Sequence, residues 1–499
     1  MPNPIRLRSF TASSLLFTMA TAAALLLTGC GGGSSAKTTL SGNTAVTVLL
    51  SSTANDRFGY FSLQISSLTL TDSKGNSVKL WPSASGNEYP FEFMHLNGIA
   101  EPLTTVSVPQ GVYSSASVSV VYSQISCFGV DSNGSIGIFG EVGELPTTST
   151  VNIPSPITII GSNMGLKLGL QVTQSTNLTS CSSITNGPAP FTLTPNFNLQ
   201  PVTLAAQPTN TENGLLVGLR GSISSVPSSG SSFEVTGESG SIPWQVTTDS
   251  NTRFFGVSGV SKLAAGIPID MDAAIQPGGD LLATRVAVYD TNPTNLTYET
   301  GPTTNNLIHS GVPAIALFQR ETLSDVPDST PYPITTPDNF GFFNPAGATF
   351  QISDQLQNLP QLPFHAVFTN TTIVPGQNIM ITSHASVLFI YPNPAATTIT
   401  LLPQTINGKV TYISSDGNFT VYTVSLAAYD LFPRLGTESG QINTVNNPGT
   451  VTVYADSSAQ QLTSSPIAVG STARFYGLVF DDNSALRMDC AQINDGVAE

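Results

Sequence analysis

Side chains able to carry chemistry are sparse in this chain. Its 499 residues include four cysteines and four histidines, and charged residues make up only 9 per cent. One cysteine is set apart by its surroundings: Cys30 follows Leu27-Thr28-Gly29 at the end of the apolar run from Leu15 to Leu27, which Arg6 and Arg8 precede. A basic start, an apolar stretch and a small-residue step form a secretory signal with its cleavage site. Zinc-protease chemistry needs two histidines at i and i+4 around a Glu, and His95, His309, His365 and His384 are scattered instead. His365 and His384 could meet across strands, but two neutral imidazoles without further ligands do not make a metal site. The Gly-x-Ser-x-Gly turn of an α/β serine hydrolase is absent. Asp131-Ser132-Asn133-Gly134 and Asp481-Asp482-Asn483 hint at calcium loops. Neither continues to a bidentate Glu, and Asp and Asn favour turns on their own account. No residue is therefore assigned to catalysis, to a metal or to a cofactor.

The order Leu-Thr-Gly-Cys resembles the lipobox of bacterial lipoproteins. That resemblance implies a signal peptide over residues 1–29, a Cys30 thiol joined to diacylglycerol, and an acylated new amino terminus. An uncleaved membrane anchor is the alternative, but Ser14 to Leu27 falls short of the roughly 20 mainly apolar residues a span needs. Several acyl chains on one residue exceed the two-signal requirement for stable anchoring. Gly31 stands where an Asp would resemble the inner-membrane retention signal of enteric bacteria. The expected address is the outer membrane, on its periplasmic face or at the cell surface, with everything after Cys30 outside the cytoplasm. In that oxidising setting a disulfide between Cys127 and Cys181 is expected, closing a loop of about 55 residues and stabilising by roughly 4 kcal/mol. Cys490 is left over and reads as a buried small hydrophobe. Cleavage removes two arginines and no acid, leaving 14 of the 16 basic residues against 31 acidic ones, a formal charge of −17. Such a charge opposes nucleic acid as a partner.

The elements that must position any site are strands. Hydrophobic residues reach 40 per cent, enough to bury cores, while Ser, Thr, Asn, Gly and Pro supply polar surface and turns. An all-β fold follows, over several domains. Residues 30–42, with Gly31-Gly32-Gly33-Ser34-Ser35, form a flexible tether. Phe61 to Leu70 alternates apolar and polar residues at the period of a half-buried strand, and Asp72-Ser73-Lys74-Gly75-Asn76 turns it into Ser77 to Trp81. Further on come the step Leu96-Asn97-Gly98, the turn Pro109-Gln110-Gly111-Val112-Tyr113, Gly165-Leu166-Lys167-Leu168, and Phe191 to Leu199. This succession, over about residues 43–203, resembles a domain family of unknown function common in prokaryotic lipoproteins, which implies a β-sandwich and no known chemistry. The chain departs from that family at Ser52-Thr53-Ala54-Asn55 and in carrying Asn196 and Asn198 where acids are common.

Beyond the polar linker Pro201–Asn213 the chain repeats itself. Leu219 to Val226, a turn and Phe233-Glu234-Val235 are answered by Ile406 to Ile413, a turn and Phe419-Thr420-Val421. One glycine introduces a later strand in each copy: Gly266, Gly470 and, in a third copy between them, Gly376. A position before a strand that needs positive φ would select glycine. With Thr252-Arg253-Phe254 and Leu282-Ala283-Thr284-Arg285-Val286, the copies resemble small bacterial barrel domains of unknown function, similar in layout to the OB-fold. They are placed at 213–291, 308–404 and 405–497, with Asp290 to Leu307 as a link. Trp81, Trp244, Phe254-Phe255 and Phe340 to Phe343 read as core or loop anchors, or as stacking surfaces for sugar. The functional expectation is a membrane-held, non-catalytic binding or scaffolding protein whose partner is a polysaccharide or an envelope protein. Surface recognition of polysaccharide is one alternative; an envelope hydrolase with unrecognised carboxylates is another.

Overall fold

A computed structural model describes residues 40–496, apart from 54–57, 82–90, 131–135, 177–192, 228–229, 238–242, 295, 310–311, 319–320, 325–339, 357–358, 385–393, 428–429 and 435–447. Side chains are described outside these and outside 126–146, 305–312, 319–340 and 433–434. Among the described residues strands make up nearly all the regular structure, and the one α-helical element is the turn Leu431–Arg434.

The N-terminal region is a sandwich of two sheets. One runs β10 (Phe197–Val202), β9 (Asn163–Leu170), β1 (Asn43–Ser52), β5 (Ala100–Pro109). The other runs β3 (Ser77–Trp81), β2 (Phe58–Asp72), β6 (Gly111–Val130), β7 (Ile136–Val151), with β4 (Phe91–Glu92) on β2 and β8 (Ile157–Ile159) on β6. Successive strand residues face opposite sides, and β1 obeys this closely: Val46, Val48 and Leu50 enter the sandwich core, while Leu49 points the other way into the core of the next domain. The expected hairpin between β2 and β3 is tied by Asp72, whose carboxylate accepts from the Lys74 N–H (2.8 Å) and the Asn76 N–H (2.9 Å), with Gly75 at φ +85°.

Three rings of strands follow. The first joins β11 (Leu215–Ser225), β12 (Ser232–Gly237), β13 (Trp244–Thr247), β16 (Leu281–Ala287) and β15 (Pro268–Ile275), closing from β15 back to β11. All its ladders are antiparallel except β13 with β16; β14 (Arg253–Phe255) adds in parallel beside β16. The last ring repeats this order with β24 (Gln404–Asp416), β25 (Phe419–Leu426), β26 (Thr450–Leu462), β28 (Leu486–Asp495) and β27 (Thr472–Asp481), and again the third and fifth strands in sequence are the parallel pair. This is the five-stranded Greek-key barrel layout of OB-like domains.

The middle copy uses β17 (Thr297–His309), β18 (Val312–Phe318), β20 (Phe340–Phe343), β22 (Asn378–Ser383) and β23 (Ala396–Leu401), with β19 (Glu321–Ser324) on β17 and β21 (Thr349–Ile352) parallel to β23. A single parallel bridge between Asn344 and Ala395 spans the remaining gap. Its first strand lies in the stretch expected to be a link. Runs of Asn, Thr and Pro suggest a linker, but β-branched Thr also suits a pleated strand. Here the Thr297 and Thr303 hydroxyls donate to the Ser383 and Val374 carbonyls (3.2 and 2.7 Å).

The introductory glycines have one shared geometry. Gly266, Gly376 and Gly470 sit at φ +83°, +98° and +97°, and each N–H donates to a first-strand carbonyl, Ile223, Thr303 or Val410, at 2.7–2.8 Å. The next residue returns the pairing, and its own N–H closes a turn on the carbonyl three residues back. This is a type II turn with glycine at its third position, where positive φ is required.

The rings do not extend as a rod away from the sandwich, as a tandem string would. The last ring returns to it: Asn97 O accepts from the Thr405 hydroxyl (2.8 Å), Asn97 Oδ1 from Arg474 (3.0 Å) and Gly98 O from Gln492 (3.3 Å). Gly98 has φ +79°, and a Cβ there would stand 3.1 Å from Thr405 Oγ1. The Leu-x-Asn-Gly step is thus a docking point. The first ring docks through Leu49 and Ala100, which join its core, and through Trp244 Nε1 donating to Pro102 O (3.1 Å). A cavity of about 40 Å³ remains where all four parts meet, lined by residues including His95, Arg220, Thr300, Thr405 and Tyr476. That is room for a water or two.

Candidate functional site

The outer face of the β10-β9-β1-β5 sheet is divided between two uses. Near Leu49 and Ala100 it is covered by the first ring. Beyond them the register sets Ser51, Gly169 and Asn198 in one row, and Lys167 beside Gln200 in the next. These residues floor a cavity of about 320 Å³ between the sandwich and the last ring, at the small end of the range for small-molecule sites. Gly169 keeps the floor low, since a Cβ there would stand 2.5 Å from Asn198 Oδ1 and 3.2 Å from Ser51 Oγ. One wall is Gly98-Ile99-Ala100. Another is the short turn Thr211–Asn213, where Asn210 Oδ1 accepts the Glu212 N–H (3.0 Å) and Asn213 Oδ1 accepts the Asn210 N–H (2.9 Å). The last ring supplies Leu462, Arg474, Asn494 and Asp495, brought level by the pairing of Arg474 with Asn494 and Ala473 with Asp495.

The charges in this cleft are engaged with protein. Lys167 Nζ meets Glu212 Oε1 at 2.5 Å. Arg474 donates to Asn97 Oδ1 (3.0 Å) and to the Asp495 carbonyl (2.9 Å). Both Asp495 carboxylate oxygens accept from the Ser464 N–H at 3.1 Å. The uncommitted groups are neutral: the side chains of Ser51, Asn198, Gln200 and Thr211 make no hydrogen bond among the described residues, and Asn494 Nδ2 is a buried donor without a partner. The arrangement can bind by hydrogen bonding. It offers no activated nucleophile.

The positions singled out by sequence fall in several places. Cys30 and Cys181 lie outside the described residues; Cys127 is on β6, paired with Phe58 and Phe139 through the backbone. Cys490 is 1 per cent exposed on β28, its thiol directed to the Gln492 carbonyl (3.4 Å) and pushed far up by burial. His365 and His384 do not serve each other: His365 is exposed, whereas His384 Nε2 meets Asp290 Oδ2 at 2.8 Å and its Nδ1 the Thr294 carbonyl at 2.9 Å. His95 is clamped between Glu92 and Glu101, 3.1 Å from each. Asp481 to Ser484 form the hairpin turn between β27 and β28, with Asn483 and Ser484 at positive φ; Asp131 to Gly134 lie outside the described residues. Trp81, Trp244 and Phe343 are buried, and Phe255 is the exposed member of its pair. The Trp244 ring therefore offers no outer stacking surface.

Six cleft residues, Ser52, Thr53, Gly98, Lys167, Asn198 and Arg474, belong to stretches that the sequence made conspicuous; Ser51, Thr211, Asn494 and Asp495 carried no local signal. Neither a protein-family model nor a curated protein matches this chain.

Proposed function

We propose that this chain is a cell-envelope lipoprotein, held by lipid on Cys30, that acts without catalysis as a binding protein and presents the cleft between the sandwich and the last ring to its ligand. The observation that supports binding over catalysis is the state of the cleft: its charged groups are held by one another, by the Asn97 carboxamide and by the backbone, and the carboxamides and hydroxyls of Asn198, Gln200, Ser51 and Thr211 stand open. A hydrolase would use Glu212 and Asp495, the two acids lining the cleft. One is occupied by Lys167 and the other by the Ser464 N–H. The address rests on Leu27-Thr28-Gly29-Cys30. Among the described residues no helix is long and apolar enough to cross a membrane.

Two measurements test this. Replacing Cys30→Ser should move the protein from the membrane to the soluble fraction, and unchanged membrane retention would sink the anchor. Purifying the lipidated protein from its own envelope should bring down a bound small molecule or partner. That yield should fall on substitution of Asn198; material that co-purifies equally with a cleft variant would place the binding elsewhere.

A further inference from the structure

We infer that the cleft takes a neutral, polyhydroxylated ligand, one or two saccharide units in size; this rests on the binding reading above and deepens it. A charged ligand would need an uncompensated counter-charge in the site. The two cations and two acids that line it sum to zero: Lys167 is ion-paired with Glu212, Arg474 is hydrogen-bonded to Asn97 and the Asp495 carbonyl, and the Asp495 carboxylate accepts from the Ser464 N–H. What remains is a set of groups that both donate and accept. Each of the Asn198 and Gln200 carboxamides offers two donors and an acceptor, and each of the Ser51 and Thr211 hydroxyls one donor and an acceptor. The buried Asn494 Nδ2 adds a donor that no described residue satisfies. A sugar ring presents the complementary pattern, a hydroxyl on nearly every carbon, each donor and acceptor at once. The half-buried Leu462 supplies apolar contact for its C–H faces.

Volume agrees with this occupant. About 320 Å³ matches roughly ten waters at about 30 Å³ each, too little for a long glycan and enough for a chain end or a free disaccharide. Among the described residues no aromatic ring lines the cleft, so a sugar gains no ring stacking and affinity lies near the weak, about millimolar, end of the scale.

The test is saturation-transfer NMR on the full folded chain after Cys30. The probes are glucose, N-acetylglucosamine, maltose and cellobiose, with glutamate, glycine and inorganic phosphate beside them, each at about 10 mM, above that weak limit. Transfer to one or more sugars is expected, weakened about tenfold in apparent affinity by Asn198→Ala, which removes bonds of ordinary neutral strength. Asn494→Ala should do the same, and if that variant fails to fold, Asn198→Ala on the sheet face carries the test. Retention on purified peptidoglycan or dextran beads, competed by the free sugar, would identify a polymer end as the source; transfer without retention would identify free sugar. Transfer to glutamate, glycine or phosphate in place of the sugars overturns the saccharide class and leaves the cleft as a site. Sugar binding that Asn198→Ala does not weaken, or no transfer to any probe, overturns the inference. Failure of the envelope reading is separate, because it would show as membrane retention of Cys30→Ser.

Discussion

Replacing Arg285 by Met isolates what a fully buried charge contributes to this fold. Arg285 is 0 per cent exposed and contacts three carboxylates: Asp270, Asp272 (2.9 Å) and Asp354 (2.8 Å). Asp270 and Asp272 lie on β15, the neighbour of Arg285's own strand, and Asp354 comes from the middle copy just beyond β21. Burial alone would depress the guanidinium, but Asp270 and Asp272 outweigh it and hold Arg285 charged. Met fills much of the same volume, so the loss is mainly electrostatic. It strands Asp270, 1 per cent exposed, as an unpaired buried carboxylate. Breaking such a pair from one side costs about 3–5 kcal/mol, whereas an exposed pair contributes at most about 1 kcal/mol. At a urea slope of about 3 kcal/mol per molar, the midpoint should fall by roughly 1–1.7 M. The assay is fluorescence of Trp244, which is buried in the first ring, in a Trp81→Phe background; the chain has only these two tryptophans. Adding Asp270→Leu should restore most of the loss, because an apolar pair can replace a buried ion pair at little cost. A loss below about 1 kcal/mol, the exposed-pair limit, or no recovery in the double variant, would refute the reasoning.

Three further outcomes are expected. Gly470→Ala should destabilise by about 1–2 kcal/mol through positive φ alone, because a Cβ there meets nothing within 4 Å. Gly376→Ala should cost more, since its Cβ would stand 3.0 Å from the Phe432 backbone; equal urea midpoints for the two variants would contradict this. Asp354 has its carboxyl raised by burial, with Arg285 pulling it down and Asp270 pushing it up. The folded state therefore binds the proton more tightly than the unfolded chain, and this group's contribution to stability declines as pH rises from below 3.8 through its folded value. The midpoint of Asp354→Asn relative to wild type should climb over that window and then level off; a difference independent of pH would count against it. Cys490, buried with its thiol pushed up, should resist iodoacetamide in the native protein and react on unfolding, read by peptide mapping. Rapid native alkylation would show that β28 is less closed than described.

Local rules made the strand content legible from residues alone. Alternation in β1 and β2 follows from the two-residue period of side chains. The glycines at 266, 376 and 470 were readable because positive φ at a type II turn excludes residues with a Cβ, a constraint that acts within four residues. The OB-like layout was implied by the resemblance of the repeated copies to small bacterial barrel domains, and the strand order itself is set by pairing. Composition misled at Thr297–His309, where Thr and Asn suit both linkers and strands, and only pairing with β18 and β22 makes it a strand. Arg285 and Asp270 stood in recognised strands, yet nothing local said that they are buried, because that burial depends on Asp354 arriving from another part of the chain. The cleft lay further beyond reach. Asn198 and Arg474 are separated by hundreds of residues, and their meeting depends on the last ring folding back onto Asn97 and Gly98. Sequence determines which way a side chain leaves its strand; only docking of one face on another decides whether that direction ends in a core, in solvent or in a site.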